Sequence, residues 1–150
     1  MDLLWQDLHQ RDLQIAQLYA ILSLRNAVFI VEQNCPYQDL DGQDLAHDNR
    51  HIIGQLENKI LAYARILTPQ DQDSPVIIGR VIIASEARGL NLGYRLMEQC
   101  IASCEQFWPG RAMYLSAQAH LEKFYRQLGF HPVTDVYLED NIPHIGMRHE

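Results

Sequence analysis

The sequence predicts a mixed α/β fold built on one sheet, and three observations carry that expectation. Val76–Ile83 (VIIGRVII) is a nearly unbroken β-branched run suited to a strand buried on both faces, and the short loop RGLNLG leads from it into a helical apolar period. Two strand-like segments with short connections precede that run, which makes an antiparallel meander of three. At 150 residues, with 47% apolar and 21% charged residues, the chain has material for one domain, residues 1–150, with a sizeable core and no room for a second.

The elements follow in order. Residues 3–8 form a first strand of poor alternation. From Asp12, taken as an N-cap, Leu13, Ile15, Leu18, Tyr19, Leu22, Val28 and Phe29 space a helix to about Val31. Arg25 falls on or near that face. It either buries its stem at the stripe edge and keeps its head wet, or holds its charge at a cleft against a carboxylate or a ligand. Glu32–Arg50 has no period over almost twenty residues, a length at which loops are usually functional or disordered.

His51–Glu57 and Lys59–Leu67 read as strands joined by a tight turn at Asn58, a residue that accepts left-handed geometry. Residues 68–75 (TPQDQDSP) form an exposed loop into Val76. Gly79-Arg80 interrupts the strand that follows, which marks a bulge or a close approach. After the loop, Leu96, Met97, Cys100, Ile101, Cys104 and Phe107 mark a helix ended by Trp108-Pro109-Gly110. Met113–Ala117 is a short strand. Leu121, Phe124, Tyr125 and Leu128 mark a short helix closed by Gly129. Phe130–Tyr137 and His144–Arg148 are a final strand pair around EDNIP.

Composition narrows the chemistry. A formal charge of −7 argues against a nucleic-acid partner, whose phosphates demand a basic face. No apolar run is read as a membrane span, and the N-terminus lacks the order of a signal peptide, so a cytoplasmic protein with no membrane partner is expected. Cys35, Cys100 and Cys104 match no zinc or redox spacing, and Cys100 and Cys104 sit one helical turn apart on an apolar stripe, as packing cysteines do. The histidines form no HxxxH or HxH pair, and no metal site is expected. The run D-x-D-G-x-D from Asp39 fails as a calcium loop, because the sixth and twelfth places hold Asp44 and Arg50 where glycine and glutamate are needed. These aspartates are either solvated turn formers or an acidic lip, from Asp39 to Asp48, that attracts an amine.

Strand, glycine-marked loop and helix start, in that order, make an anion site. Loop amides and first-turn N–H groups have no backbone partners and converge on one spot. Something phosphorylated is therefore expected at Arg88–Tyr94. Neither the Rossmann fingerprint nor the Walker loop is present. One helix later stands FYRQLGF, residues 124–130, in which Tyr125 reads equally as core packing or as a working hydroxyl.

With RGLNLG and FYRQLGF in this order, the chain resembles the GCN5-related N-acetyltransferases. That family carries R/Q-x-x-G-x-G/A after a central strand and Y-x-x-x-G-F on the next helix. LRNAVFIVEQNCPYQDLDGQDL, DNRHI, YARIL, IGRVI, AQAHLEKFY and IPHIGM are similar to its ElaA-like branch over nearly the whole chain. One departure stands out: Asn91 replaces the first motif glycine, and asparagine keeps the amide while tolerating left-handed dihedrals.

The resemblance implies a single mixed, mostly antiparallel sheet with helices on both faces and a cofactor cleft between two splayed central strands. It implies acetyl-coenzyme A as co-substrate, with no metal, and direct acetyl transfer in a ternary complex to a primary amine on a small molecule or peptide. Val81, Ile82 and Ile83 would bind the pantetheine arm. Arg88, Gly89, Leu90, Asn91, Leu92, Gly93 and Tyr94 would cradle the pyrophosphate. The N–H near Ile83 would polarise the thioester carbonyl, and Tyr125 would protonate the departing thiolate. Glu32 or His144 is the expected base, with His51 and Glu139 also plausible by chemistry. The alternative is a module that keeps the acyl-coenzyme A cleft without transferring. An edge strand at His144–Arg148 would serve a homodimer.

Overall fold

A computed structural model describes all of residues 1–150. Eight strands form one sheet in the order β1 (Leu4–His9), β2 (Arg50–Leu56), β3 (Lys59–Leu67), β4 (Val76–Ile83), β5 (Met113–Gln118), β8 (Ile142–His149) and β6 (His131–Pro132), with β7 (Tyr137–Glu139) also on β8. Every pairing is antiparallel except β4 with β5. The expected meander is β2–β3–β4. Its tight turn takes the left-handed conformation at Glu57 (φ 56°), not at Asn58.

Strand alternation sends neighbouring residues to opposite faces, and each face receives a helix. Ile52, Ala62, Ala64 and Ile66 lie under α2 (Leu92–Phe107), whose buried stripe is Leu92, Leu96, Met97, Cys100 and Cys104. The same core continues to Tyr125 on α3 (Glu122–Gln127) and to Leu128 and Phe130 just after it. Cys100 and Cys104 are packing residues, and burial pushes the Cys104 thiol up to about 12. Each large aliphatic side chain buried here contributes roughly 1.5–3 kcal/mol.

The other face is smaller: Ile53, Tyr63 and Ile82 meet Ile21 and Val28 of the first helical segment. That segment differs from its sequence reading. Asp12 belongs to a preceding 3₁₀ turn, and α1 (Ile15–Arg25) is capped by Gln14 in a reciprocal box with Gln17. A π-helical turn, Asn26–Glu32, then continues it. Together Ile15–Glu32 are 18 residues of mean hydropathy 1.4, long and apolar enough by composition to cross a membrane, a length the reading of apolar runs overlooked. Ile15 and Tyr19 face outward, while Ile21, Arg25 and Val28 face the sheet.

Arg25 is 0% exposed and settles between carboxylates. Its Nε donates to Asp39 Oδ2 (2.9 Å) and its Nη1 to Asp44 Oδ1 (2.5 Å). Arg65 on β3 donates to Asp44 Oδ1 (3.0 Å) and, in a fork, to both oxygens of Asp41 (2.9 and 2.8 Å). Arg80 donates to Asp39 Oδ1 (2.8 Å). Three arginines and three aspartates thus fold the period-free loop inward against the sheet. The acidic-lip alternative fails for Asp39, Asp41 and Asp44, which are neutralised by Arg25, Arg65 and Arg80.

The same network explains the interruption at Gly79-Arg80. Between Tyr63↔Ile82 and Arg65↔Gly79 the β4 strand holds one residue more than β3, which is a bulge. Its left-handed residue is Arg80 (φ 52°) rather than the glycine. A non-glycine residue there costs about 1–2 kcal/mol, offset by the Asp39 contact.

The last strand pair is also rearranged. Phe130–Tyr137 splits into β6 and β7, and Asp140-Asn141 (φ 50° and 64°) make the two-residue turn into β8. β8 lies between β5 and β6/β7, so His144–Arg148 is no edge and offers no strand for dimer pairing.

Asp44→Asn leaves Arg25 and Arg65 short of a counter-charge in the interior. The expected loss is about 3 kcal/mol of unfolding free energy in urea titrations, while truncating the surface pair Arg126–Glu122 moves the midpoint little. Burial alone would raise both Asp41 and Asp44. Bonds from Arg65 to Asp41, and from Arg25 and Arg65 to Asp44, outweigh it, holding Asp41 at about 2 and Asp44 below the usual range. Below the ordinary carboxylate value of about 4 the unfolded chain binds more protons, so this stability is full above that pH and lost as pH falls toward 2. Urea stability measured from pH 5 to pH 2 should fall through that window, less steeply in Asp41→Asn.

Candidate active site

β4 and β5 pair only at Val76↔Met113 and Ile77↔Tyr114. Beyond those two rungs the strands diverge, and a cavity of about 630 Å³ opens between them. β4 supplies one wall and Leu115–Gln118 of β5 the other.

The divergence decides which backbone groups face the cavity. Ala84 N–H donates to Leu61 O (2.8 Å), and hydrogen-bonded and non-hydrogen-bonded pairs alternate along antiparallel strands. Tyr63↔Ile82 is therefore a bonded pair, and Ala62↔Ile83 is not. The N–H and C=O of Ile83, and those of Val81, point away from β3 toward the cavity. Ile82 does the reverse: its backbone is spent on β3 and its side chain on the α1 core, so it serves as wall only.

At the cavity rim, a 3₁₀ turn (Ser85–Ala87) leads into RGLNLG. Gly89 (φ 80°) and Asn91 (φ 61°, ψ 20°) are left-handed and Leu90 between them is not, the alternation that turns successive amides into an anion-binding nest. Asn91 is the N-cap of α2 and takes the conformation that its substitution for glycine required. Gly93 lines the cavity, and a Cβ there would stand 3.5 Å from the Phe124 ring. Leu92 points into the core and Tyr94 packs against it, so both offer the site only their amides. Leu90 is exposed at the loop tip.

The Arg88 side chain does something the sequence reading did not foresee. Nη1 and Nη2 form a fork to Glu32 (2.6 and 3.1 Å), and Nε donates to Ile83 O (3.0 Å). Glu32, at the end of the π-helical turn, therefore has both carboxylate oxygens engaged.

Tyr125 lines the cavity at 6% exposure, held edge-on against Phe124 and Phe130 (ring centroids 5.0 and 6.1 Å). Its hydroxyl bonds to no protein group. Burial, helped by the neighbouring Cys100 thiol, pushes its pKa up and keeps it protonated.

Of the remaining base candidates, His51 is excluded by position. It is fully buried on β2 behind the sheet, donating from Nε2 to Asp44 O (2.8 Å) and accepting at Nδ1 from Tyr63 (2.6 Å). Burial lowers its pKa. His144 and Glu139 do line the cavity. His144 Nδ1 donates to Ile142 O (2.7 Å), which leaves Nε2 bearing the lone pair, 3.6 Å from Glu139 Oε2. Sequence reasoning missed Ser116 and Tyr137 beside them. The alternation of Met113, Leu115 and Ala117 toward the core was the available signal, since it puts Ser116 on the opposite side of β5.

This architecture recurs in known proteins. The sequence model described as Acetyltransferase (GNAT) domain matches residues 16–150. Protein ElaA of Escherichia coli K12 is 56% identical over 146 residues, 97% of this chain and 95% of its own. The crystal structure of Escherichia coli ElaA superposes with a TM-score of 0.95 over 99% of both chains. An acyl-CoA N-acyltransferase from Pseudomonas aeruginosa superposes at 0.96, with 49% identity over 99% of this chain and 100% of its own. Arabidopsis thaliana Naa50, solved with the bisubstrate analogue CoA-Ac-MVNAL, shares the fold alone, at 16% identity and a TM-score of 0.72 over 97% and 98% of the chains. On the family model and the near-complete likeness to ElaA, the chain belongs to the GNAT acetyltransferase family.

Proposed function

We propose that this chain transfers an acetyl group from acetyl-coenzyme A to a primary amine by direct attack in a ternary complex. One observation carries the reading: the splay of β4 from β5 gathers β4 backbone groups that have no strand partner, the amide nest before α2 and the unbonded Tyr125 hydroxyl around one cavity. The acyl-CoA N-acyltransferase from Pseudomonas aeruginosa supports it. The pantetheine arm would run along β4 on Val81 and Ile83, and the pyrophosphate would sit on the amides of Arg88–Tyr94 and the α2 N-terminus. Acyl-coenzyme A is a cytoplasmic currency, and the unpaired thiols fit that compartment.

The chemistry follows from the groups in place. An amine attacks only when neutral, so one ammonium proton must leave, and His144 Nε2 is the free lone pair at that end. Glu32 is the weaker candidate because Arg88 holds both its oxygens. The nitrogen attacks the thioester carbon, and the developing oxyanion meets the outward N–H of Ile83. The C–S bond breaks and sulfur takes the Tyr125 proton. The surplus proton on nitrogen restores Tyr125 through solvent, and one proton is released overall. The acceptor is a small molecule or peptide bearing a primary amine.

Two measurements test the reading. Saturating acetyl-coenzyme A should raise the melting temperature, and an amine panel should release free thiol. A shift without thiol release would leave a binding module, and no shift would sink both readings. Tyr125→Phe should lower turnover about tenfold or more with cofactor affinity nearly unchanged, and unchanged turnover would remove Tyr125 from the mechanism. Gly93→Ala should fold as well as the parent, since its Cβ meets only ordinary contact, yet weaken coenzyme A binding measured by calorimetry.

A further inference from the structure

Around His144, the cavity holds a chain of polar side chains to which the acid and base steps assign no role. Ser116 comes from β5, Tyr137 and Glu139 from β7, and His144 from β8. The two-residue turn at Asp140-Asn141 sets Tyr137 opposite His144.

Hydrogen-bond chemistry gives this chain a direction. A carboxylate only accepts, so Ser116 Oγ commits its hydrogen to Glu139 Oε1 (3.4 Å). The Tyr137 hydroxyl also bonds to Ser116 Oγ. At the other side, Ile142 O fixes the hydrogen of His144 on Nδ1, and the lone pair on Nε2 has no hydrogen-bond partner. His144 is 8% exposed, lines the cavity, and lies 3.6 Å from Glu139 Oε2. The Tyr137 ring stacks along the imidazole at 6.3 Å and 27°.

We infer that Glu139 is a positioning residue for His144, itself held by Ser116 and Tyr137, and that it receives the imidazolium as an ion-pair partner once Nε2 has taken the ammonium proton. The inference rests on the acyl-transfer reading above. The proton moves from the substrate ammonium to Nε2, leaving a neutral amine and an imidazolium beside a carboxylate. No proton passes to Glu139. The Nδ1 bond to Ile142 O orients the ring, and the carboxylate 3.6 Å from Nε2 stabilises the imidazolium once it has formed. No arginine or lysine pairs with Glu139, unlike Glu32, so its charge is available to the imidazolium.

Other ionisable groups share this space. Tyr114 on β5 lies beside Tyr137, and burial, then Tyr137, push its phenol up. His120 follows β5, Tyr125 comes from α3, Cys35 and Tyr37 come from the loop across the cavity, and Arg80 and Arg88 come from β4 and the loop after it. Arg80 is committed to Asp39 and Arg88 to Glu32. Glu139 is thus the carboxylate next to Nε2 that lacks a cationic partner.

The full-length protein and its Glu139→Gln and Tyr137→Phe variants test this. Thiol release with acetyl-coenzyme A and the best amine of the panel is followed across pH, and the His144 ring is titrated by NMR. Glu139→Gln keeps an acceptor for Ser116 and removes the charge. Its kcat/KM for the amine should fall about tenfold while KM for acetyl-coenzyme A holds. The acidic limb of the profile and the His144 midpoint should both move to lower pH, because the imidazolium has lost its carboxylate. Tyr137→Phe should move both the same way by less, and it serves if Glu139→Gln folds poorly. An unchanged His144 midpoint in the folded variants would overturn the inference. The NMR arm reads it even if the parent releases no thiol with any amine, an outcome that would count against the acyl-transfer reading instead.

Discussion

Two rungs of parallel pairing, and no more, join the two halves of this sheet. Val76 and Ile77 tie β4 to β5, and the strands then part. Buried backbone N–H and C=O groups are almost always paired, yet those of Val81 and Ile83 face a cavity in place of a neighbouring strand. A sheet that continued its ladder would have no site. The bulge at Arg80 adds to the effect, because the extra residue increases local twist just beyond the last rung at Ile77.

Holding a strand in that shape requires support beside the bulge. The α1 face has only a small apolar core, and the Arg25–Asp39–Arg80 and Arg25–Asp44–Arg65 contacts occupy the space beside it. Buried ion pairs contribute little net stability compared with apolar packing, but they are directional. Asp39 grips both Arg25 of the helix and Arg80 of the bulge, so one carboxylate fixes the loop, the helix and the strained strand residue together. Packing on the opposite face, through α2, supplies the bulk of the hydrophobic burial and also aims the α2 N-terminus at the cavity.

The two ends of the cavity are then built from different parts of the chain. At one end, the nest formed by Gly89 and Asn91 adjoins the α2 N-terminus, where unpartnered amides favour an anion. At the other, the β7–β8 hairpin brings Glu139 and His144 to face Tyr137 and Ser116. Between them sits Tyr125, held by two aromatic edges and kept protonated by burial. The end beside α2 is lined by backbone and the end beside β7 and β8 by side chains.

Much of this was legible in the residues. The β-branched run, the glycine loop and the following helical period determined the strand–loop–helix unit, because those patterns express local backbone preferences. Asn91 was readable as a left-handed position for the same reason. FYRQLGF placed Tyr125 on an inward face by its spacing alone. What the sequence left open depends on contacts between distant segments. Whether Arg25 stayed wet or sought carboxylates turned on Asp39 and Asp44, 14 and 19 residues away, and whether the aspartates faced water or arginines turned also on Arg65 and Arg80, 21 to 41 residues away along the chain. Arg88 holds both oxygens of Glu32, and His51 is buried behind β2. His144 reaches the cavity because β8 lies between β5 and β7. Periodicity decides which face a side chain takes, but only the assembled sheet decides what stands opposite it.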